Sequence, residues 1–179
     1  MRIIAGEKRG AKILAPKGHD TRPTADRARE AAFNLIGPVE GAAVLDLFAG
    51  TGAYGLEALS RGAAIAVFAE SDHAACAAIR QNLEKLALSG ATVLCRDAVQ
   101  VLSEEAAAGR RYDLVLADPP YRMFASVQTG LATYLPHVLA ENGLAVVETH
   151  AKEEPDLPLR LRTSRRYGSA RLTLFELPR

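Results

Sequence analysis

The chain places Asp118-Pro119-Pro120-Tyr121 directly after the apolar run Leu114-Val115-Leu116-Ala117. The run reads as a short buried strand, and two prolines end it, because proline fixes φ, lacks an amide donor and pushes the preceding residue toward extended geometry. Asp118 is therefore held stiffly at a strand tip. An ionised carboxylate only accepts hydrogen bonds, so an acceptor, a rigid corner and an exposed ring meet within four residues. A second constellation, "LDLFAGTGAYG" over 45–55, spaces Gly50, Gly52 and Gly55 between a strand-like and a helix-like segment. Glycine there lets the backbone turn sharply and lets a ligand approach the main chain, at the sheet end where doubly wound folds bind nucleotides.

Three carboxylates narrow the ligand. Glu70 closes the next apolar run, where an acidic residue accepts from two ribose hydroxyls and repels a 2′-phosphate; this argues against NADP and leaves NAD open. Asp46 lies inside a strand, four residues before Gly50, where a purely structural strand would take Val or Ile. A buried carboxylate needs a partner, and a ligand ammonium group, reached directly or through water, would serve. Asp97 in "CRDAV" is placed either to accept from an adenine exocyclic amine or to cap a helix starting at Ala98. A cationic ligand carrying adenosine and an amino acid uses all of these groups; S-adenosylmethionine is that ligand.

The elements that must position these residues alternate. Strands are expected over 42–48, 64–70, 91–96, 112–118 and 143–150, and helices over 55–62, 72–88, 98–108 and 124–139. Near-continuous apolar strands between helices imply a parallel sheet covered on both faces. The tail changes to period-two alternation in "LRLRTSRRYG" and "ARLTLFEL", joined at Gly168-Ser169, which reads as a hairpin closing one edge. Ahead of the core, "RIIAGEKRGAKIL" reads as two short strands around a turn, followed by a helix from an N-capping Thr24 to Asn34, with Asp26 in the favourable first turn. The division expected is an extension over 1–40 and a main domain over 41–179.

At 179 residues and 49% hydrophobic content, the chain is sized for one domain with appendages. No run approaches the ~18 apolar residues of a membrane span, and "MRIIAGEKRG" has no signal-peptide core, so the expected compartment is the cytoplasm. The net charge of +1 conceals an asymmetry: residues 1–30 carry eight Lys/Arg against four Asp/Glu, 31–156 eight against sixteen, and 157–179 six against one. Basic ends flanking an acidic body can form one face for a polyanion. The 17 Arg to 5 Lys beside many Ala fits a codon bias, which does not explain the concentration of charge at the ends. Cys76 and Cys95 lack paired metal spacing and are expected as reduced core residues. His19, His73, His137 and His150 show no triad or metal spacing, and no metal is expected.

In order and spacing, "VLDLFAGTGAYGLEALSRGA", "AES", "RDA" and "LADPPY" resemble the successive motifs of class I S-adenosylmethionine-dependent methyltransferases. The N-terminal "RIIAG", the following "TRPT" and the "DR.REA.FN" pattern resemble the signature of the bacterial 16S rRNA guanine(966)-N2 methyltransferase family. The resemblance spans residues 1–150. It implies an α/β, Rossmann-like class I methyltransferase fold with a mostly parallel seven-stranded sheet, helices on both faces, a C-terminal antiparallel hairpin and a small N-terminal hairpin and helix. It implies cofactor contacts from Asp46, Phe48, Gly50, Gly52, Glu70, Ser71, Asp97 and Ala98, and a catalytic corner of Asp118, Pro119 and Tyr121. Some family members carry Phe at the place of Tyr121, so the ring is the shared feature.

The implied target is an exocyclic amine whose lone pair is delocalised into the ring. Asp118 would accept one N–H, the carbonyl of Pro119 the other, and Tyr121 would stack on the base. Such a base must be unpaired or extruded, and the expected partner is 16S rRNA in the small subunit or an assembly intermediate. Arg9, Lys12, Lys17 and Arg22 are candidate phosphate contacts, with Arg27 and Arg122 nearer the pocket mouth. "TRPT" is expected to pack near the cofactor. An adenine-N6 nucleic-acid methyltransferase and a protein-glutamine methyltransferase share the Pro-Pro-aromatic corner but more often begin it with Asn. An NAD-dependent oxidoreductase would leave the corner unexplained, and a non-catalytic RNA-binding assembly factor would not need Asp118.

Overall fold

The structure, a computed structural model, describes residues 1–16 and 23–179. Lys17, His19, Arg22 and the side chain of Thr24 therefore lie outside the described residues, as does most of "TRPT". The alternation read from the sequence is present: α1 (Pro23–Ile36), β1 (Ala43–Leu47), α2 (Ala53–Ser60), β2 (Ile65–Glu70), α3 (His73–Leu86), β3 (Ala91–Cys95), α4 (Ala98–Ala107), β4 (Tyr112–Ala117), α5 (Phe124–Val138), β5 (Leu139–His150), β6 (Arg160–Tyr167) and β7 (Ala170–Glu176). A 3-10 turn over Tyr121–Met123 separates β4 from α5. Strand β5 starts earlier than the apolar run at 143 indicates. Leu139, at the end of α5, pairs directly with Tyr112, and the register shift before Leu114 absorbs the polar residues that follow it.

The seven strands lie in the order β3-β2-β1-β4-β5-β7-β6. The first five are mutually parallel, and β7 inserts antiparallel between β5 and β6. The fold is the one the motifs imply, with the β6–β7 hairpin at one edge. Alternate residues of each central strand enter two cores. Val44, Phe68, Leu114 and Val146 face α1, α2 and α3, whereas Leu45, Leu47, Val115 and Val147 face α4 and α5. Every central strand is thus buried on both sides, which is why these segments read as continuous apolar runs.

Residues 1–14 pack on the first of these faces. Ile3 and Ile13 are buried in one core with Phe33 and Val44, and Arg2 and Lys12 form an antiparallel bridge. The anchor is electrostatic: Glu57 in α2, with 0% exposure, accepts from the amides of Ile4 (2.8 Å) and Ala5 (2.9 Å) and from Arg61 Nε (2.8 Å). Arg29, 1% exposed, lies 3.5 Å from the same carboxylate and donates to the carbonyl of Arg2 and to Asp26. Arg61 in turn lies over the Phe33 ring, 4.5 Å from its centroid. At the other end of the arm, Asn82 of α3 both donates to and accepts from Leu14.

The cysteines differ from the expectation of two reduced residues. Cys76 in the first turn of α3 and Cys95 at the end of β3 are joined in a disulfide, with Cα atoms 5.9 Å apart. The cause is the β2–β3 register, which sets Cys95 opposite Glu70, the residue from which the chain turns into α3. Among the described residues, no helix is long and apolar enough to cross a membrane, and no group of three or more His, Cys, Asp or Glu could hold a metal ion.

Removing one partner of a buried ion pair leaves an uncompensated charge and costs about 3–5 kcal/mol. Glu57→Ala is therefore expected to lower unfolding free energy by about that amount in denaturant titration, and to speed hydrogen exchange at Ile4 and Ala5.

Candidate active site

The carboxyl ends of β1, β2, β4 and β5 build the site through their register. Leu47 is level with Ala69 and with Ala117, and Ala117 is level with Val147. The next residue on each strand is Phe48, Glu70, Asp118 and Glu148 respectively, so three carboxylates leave the sheet on one level. Asp46 lies two residues below on β1, opposite Phe68 and Leu116. Together these groups line a cavity of about 510 Å³, whose wall also includes Gly50, Thr51, Tyr54, Ser71, Asp97, Ala98, the Pro119-Pro120-Tyr121 corner, Met1 and Arg29.

The loop after β1 is shaped by these carboxylates. Phe48 has φ 58°, a left-handed conformation that costs a non-glycine residue about 1–3 kcal/mol. Gly50 donates its amide to Glu70 Oε2 (2.7 Å), and Asp72 donates its own to Oε1 (2.8 Å). Gly52 opens α2 with φ 78°, and Gly55 donates to Asp46 Oδ2 at 2.8 Å. A Cβ on Gly55 would lie 2.3 Å from the Phe68 ring, so glycine lets the helix approach β2 closely. Asp97 does cap α4, accepting from Gln100 at 2.9 Å, while also lining the cavity; the two roles weighed for it from sequence are compatible.

The electrostatics follow from burial of carboxyls that form no ion pair among the described residues. Desolvation, opposed by the Gly55 bond and helped by Glu70, raises Asp46 from 3.8 to about 8. Burial raises Asp118 well above the ordinary carboxylate range, and the charges of Glu148 and Asp46 add to the effect. Glu148 is raised by burial and partly relieved by bonds from Tyr54 (3.0 Å, to Oε2) and Tyr121 (3.4 Å, to Oε1). The Tyr54 hydroxyl is raised by burial and by Glu148 and Asp118. The arrangement is a pocket of acceptors that favours a cation or a pair of donors.

The cavity brings together Asp46, Phe48, Gly50, Glu70, Ser71, Asp97, Ala98, Asp118, Pro119 and Tyr121. Gly52 is not in its wall and acts by opening α2. The basic candidates are dispersed. Arg27 is exposed on α1 and Arg122 is exposed in the 3-10 turn beside Tyr121. Arg9 is exposed in a turn that docks on Ser60, where the Glu7 amide donates to the Ser60 carbonyl at 2.7 Å. Ser60 ends α2, so this turn is at the opposite end of the helix from the cavity. Lys12 is exposed, and its carbonyl accepts from Lys85 in the last turn of α3, again away from the cavity.

Sequence reasoning missed Glu148, Tyr54, Arg29 and Met1. Glu148 sits in an apolar run like Asp46 and carried the same signal; Tyr54 lies inside the quoted glycine loop. Met1 arrives only through the docking of the N-terminal arm, and Arg29 through the packing of α1. His150, assigned no role, contacts the Tyr121 ring edge-on at 5.6 Å.

Comparison with known proteins places the chain in a family. The family model described as conserved hypothetical protein 95 matches residues 1–176. Ribosomal RNA small subunit methyltransferase D of Escherichia coli strain K12 is 38% identical over 163 residues, 88% of this chain and 78% of that protein. The solved structure of a hypothetical protein of Thermus thermophilus is similar with a TM-score of 0.84 and 33% identity, over 99% of each chain. A T. thermophilus 16S rRNA N2 G1207 methyltransferase in complex with AdoMet and guanosine shares the fold, with a TM-score of 0.69 and 23% identity over 90% of this chain and 45% of that one. With its acidic cavity at the carboxyl end of a class I methyltransferase sheet, the chain belongs to the conserved hypothetical protein 95 family, that of ribosomal RNA small subunit methyltransferase D.

Proposed function

We propose that the protein transfers a methyl group from S-adenosylmethionine to the exocyclic N2 amine of a guanine in 16S rRNA of the small ribosomal subunit, acting in the cytoplasm; the family resemblance points to the guanine at position 966. The observation that carries this reading is the shared level of Glu70 and Asp118 in one cavity. It sets an acceptor suited to a ribose beside an acceptor suited to an amine, with the rigid Pro119-Pro120-Tyr121 corner alongside.

The donor set suits the cofactor. Each oxygen of Glu70 accepts one backbone amide and keeps a lone pair for a ribose hydroxyl. Asp97 keeps acceptor capacity beyond its cap bond for an adenine amine. Asp46, buried and paired with one amide, gains from an ammonium group. The bound cofactor supplies the sulfonium-activated methyl group.

The chain's own residues do the rest. Guanine N2 is a weak nucleophile, so the site must align it and draw its N–H bonds away from the ring plane. Asp118 and the carbonyl of Pro119 accept those bonds, and the proline pair holds both directions. Tyr121, flanked by His150, offers a ring for stacking worth ~1–3 kcal/mol. The proton that N2 must release on methylation would pass to Asp118 or to water. Arg27 and Arg122, together with Arg9, Lys12, Lys17 and Arg22, would hold phosphates of the rRNA. The part of the chain before residue 41 then serves as the RNA-binding and cofactor-covering extension.

Labelled methyl transfer to small subunits and to naked 16S rRNA, both from cells lacking the gene, is expected to yield N2-methylguanosine. Asp118→Ala should lower kcat by about 10²–10⁴-fold while S-adenosylhomocysteine still raises Tm. Appearance of N6-methyladenosine instead, or transfer to neither substrate, would overturn the assignment.

A second prediction concerns pH. Folded Asp46 keeps its proton up to about pH 8, whereas unfolded Asp46 loses it near 3.8. Between these values folded Asp46 binds the extra proton, so this group alone makes stability fall as pH rises, by at most about 1.4 kcal/mol per unit. Denaturant titrations of the ligand-free protein at pH 6 and pH 8 should show this fall, and Asp46→Asn, isosteric with the protonated acid, should reduce it.

A further inference from the structure

Glu148 is the cavity carboxylate that methyl transfer alone does not require. We infer that Glu148 and Asp118 form a base-reading subsite, in which Glu148 accepts the N1–H of the target guanine while Asp118 accepts an N2–H. The inference rests on the guanine reading above and names the residue that makes the site select guanine.

Guanine presents N1–H and N2–H as neighbouring donors on its Watson–Crick edge, whereas adenine presents an acceptor at N1 beside its N6 amine. A site selecting guanine by this edge therefore needs two acceptors side by side. Asp118 and Glu148 follow the paired residues Ala117 and Val147 on adjacent parallel strands, whose separation is about 5 Å. Both line the same cavity as the Tyr121 ring. Their strand positions are stiff: Asp118 precedes two prolines, and Glu148 is inside β5, paired on its other side with Leu172 of β7.

The orientation of Glu148 is also set. Tyr54 donates to Oε2 at 3.0 Å and Tyr121 to Oε1 at 3.4 Å. One phenol on each oxygen leaves each a further lone pair to accept from a base, and keeps the carboxylate turned between the glycine-loop helix and the catalytic corner. Burial of two like charges on neighbouring strands raises both carboxyls, and the two donors of a guanine edge relieve that cost. An adenine would leave one carboxylate facing a ring nitrogen lone pair, and an unpaired buried acceptor is the strong form of discrimination.

The test compares target RNA carrying guanine with RNA carrying 2-aminopurine at the same position, which keeps the N2 amine and lacks N1–H. Wild type is expected to favour guanine by 10²-fold or more in kcat/KM. Glu148→Ala should lose 10²-fold or more on guanine but less than tenfold on 2-aminopurine, so that the preference collapses, with an unchanged Tm increment from S-adenosylhomocysteine showing that the fold and cofactor site persist. Equal losses on both substrates would reduce Glu148 to a support for the two tyrosines and overturn the inference. So would a wild type that does not discriminate, a result independent of whether the variant folds. Failure of wild type to form N2-methylguanosine on guanine RNA is a different result, which removes the functional reading itself and this inference with it.

Discussion

The structure is organised around negative charge held at the end of a parallel sheet. Register across β2, β1, β4 and β5 brings Glu70, Asp118 and Glu148 to one level above Asp46, and the compensation they find among the described residues comes from neutral donors. Backbone amides from Gly50, Asp72 and Gly55 and phenols from Tyr54 and Tyr121 offset part of the charge. The remainder is expressed as raised proton affinity of Asp46, Asp118 and Glu148. A pocket in this state favours a cation or hydrogen-bond donors. Phe48 takes up a left-handed conformation directly after β1, and Gly55 lets α2 approach the Phe68 ring closely.

The N-terminal arm depends on a buried carboxylate outside the cavity. Glu57 is on α2, the helix that begins at the glycine loop, and it ties Ile4, Ala5, Arg29 and Arg61 to that helix. The glycine loop and the arm therefore share one rigid element. Met1 reaches the cavity wall while the turn carrying Arg9 is held at the far end of α2. The arm runs along the helix and back, so its ends at Met1 and Ile13 lie side by side while its turn docks on Ser60.

Much of this was legible in the residues. Strands buried on both faces leave continuous apolar runs, and prolines and glycines mark where they stop, so the α/β alternation and the hairpin at Gly168-Ser169 could be placed to within a few residues. Asp46 and Asp118 stood out because a carboxylate inside or directly after an apolar run needs a reason. Glu148 had the same signal within "AVVETH", but no proline or glycine follows it to mark a site. The start of β5 was hidden because pairing between Leu139 and Tyr112 depends on a bulge that no local pattern records.

Sequence by itself determined the elements, the glycine loop and the acceptor at the rigid corner, because each rests on residue types within a few positions of one another. Tertiary structure alone decided which carboxylates share a level, that Tyr54 and Tyr121 converge on Glu148, that Cys76 meets Cys95, and that Arg9 and Lys12 sit away from the cavity. These are facts of strand register and of helices crossing a sheet, which join residues distant in the chain. Proton affinity follows the same division: it is set by burial and by neighbouring charge, and both exist only once the chain has folded.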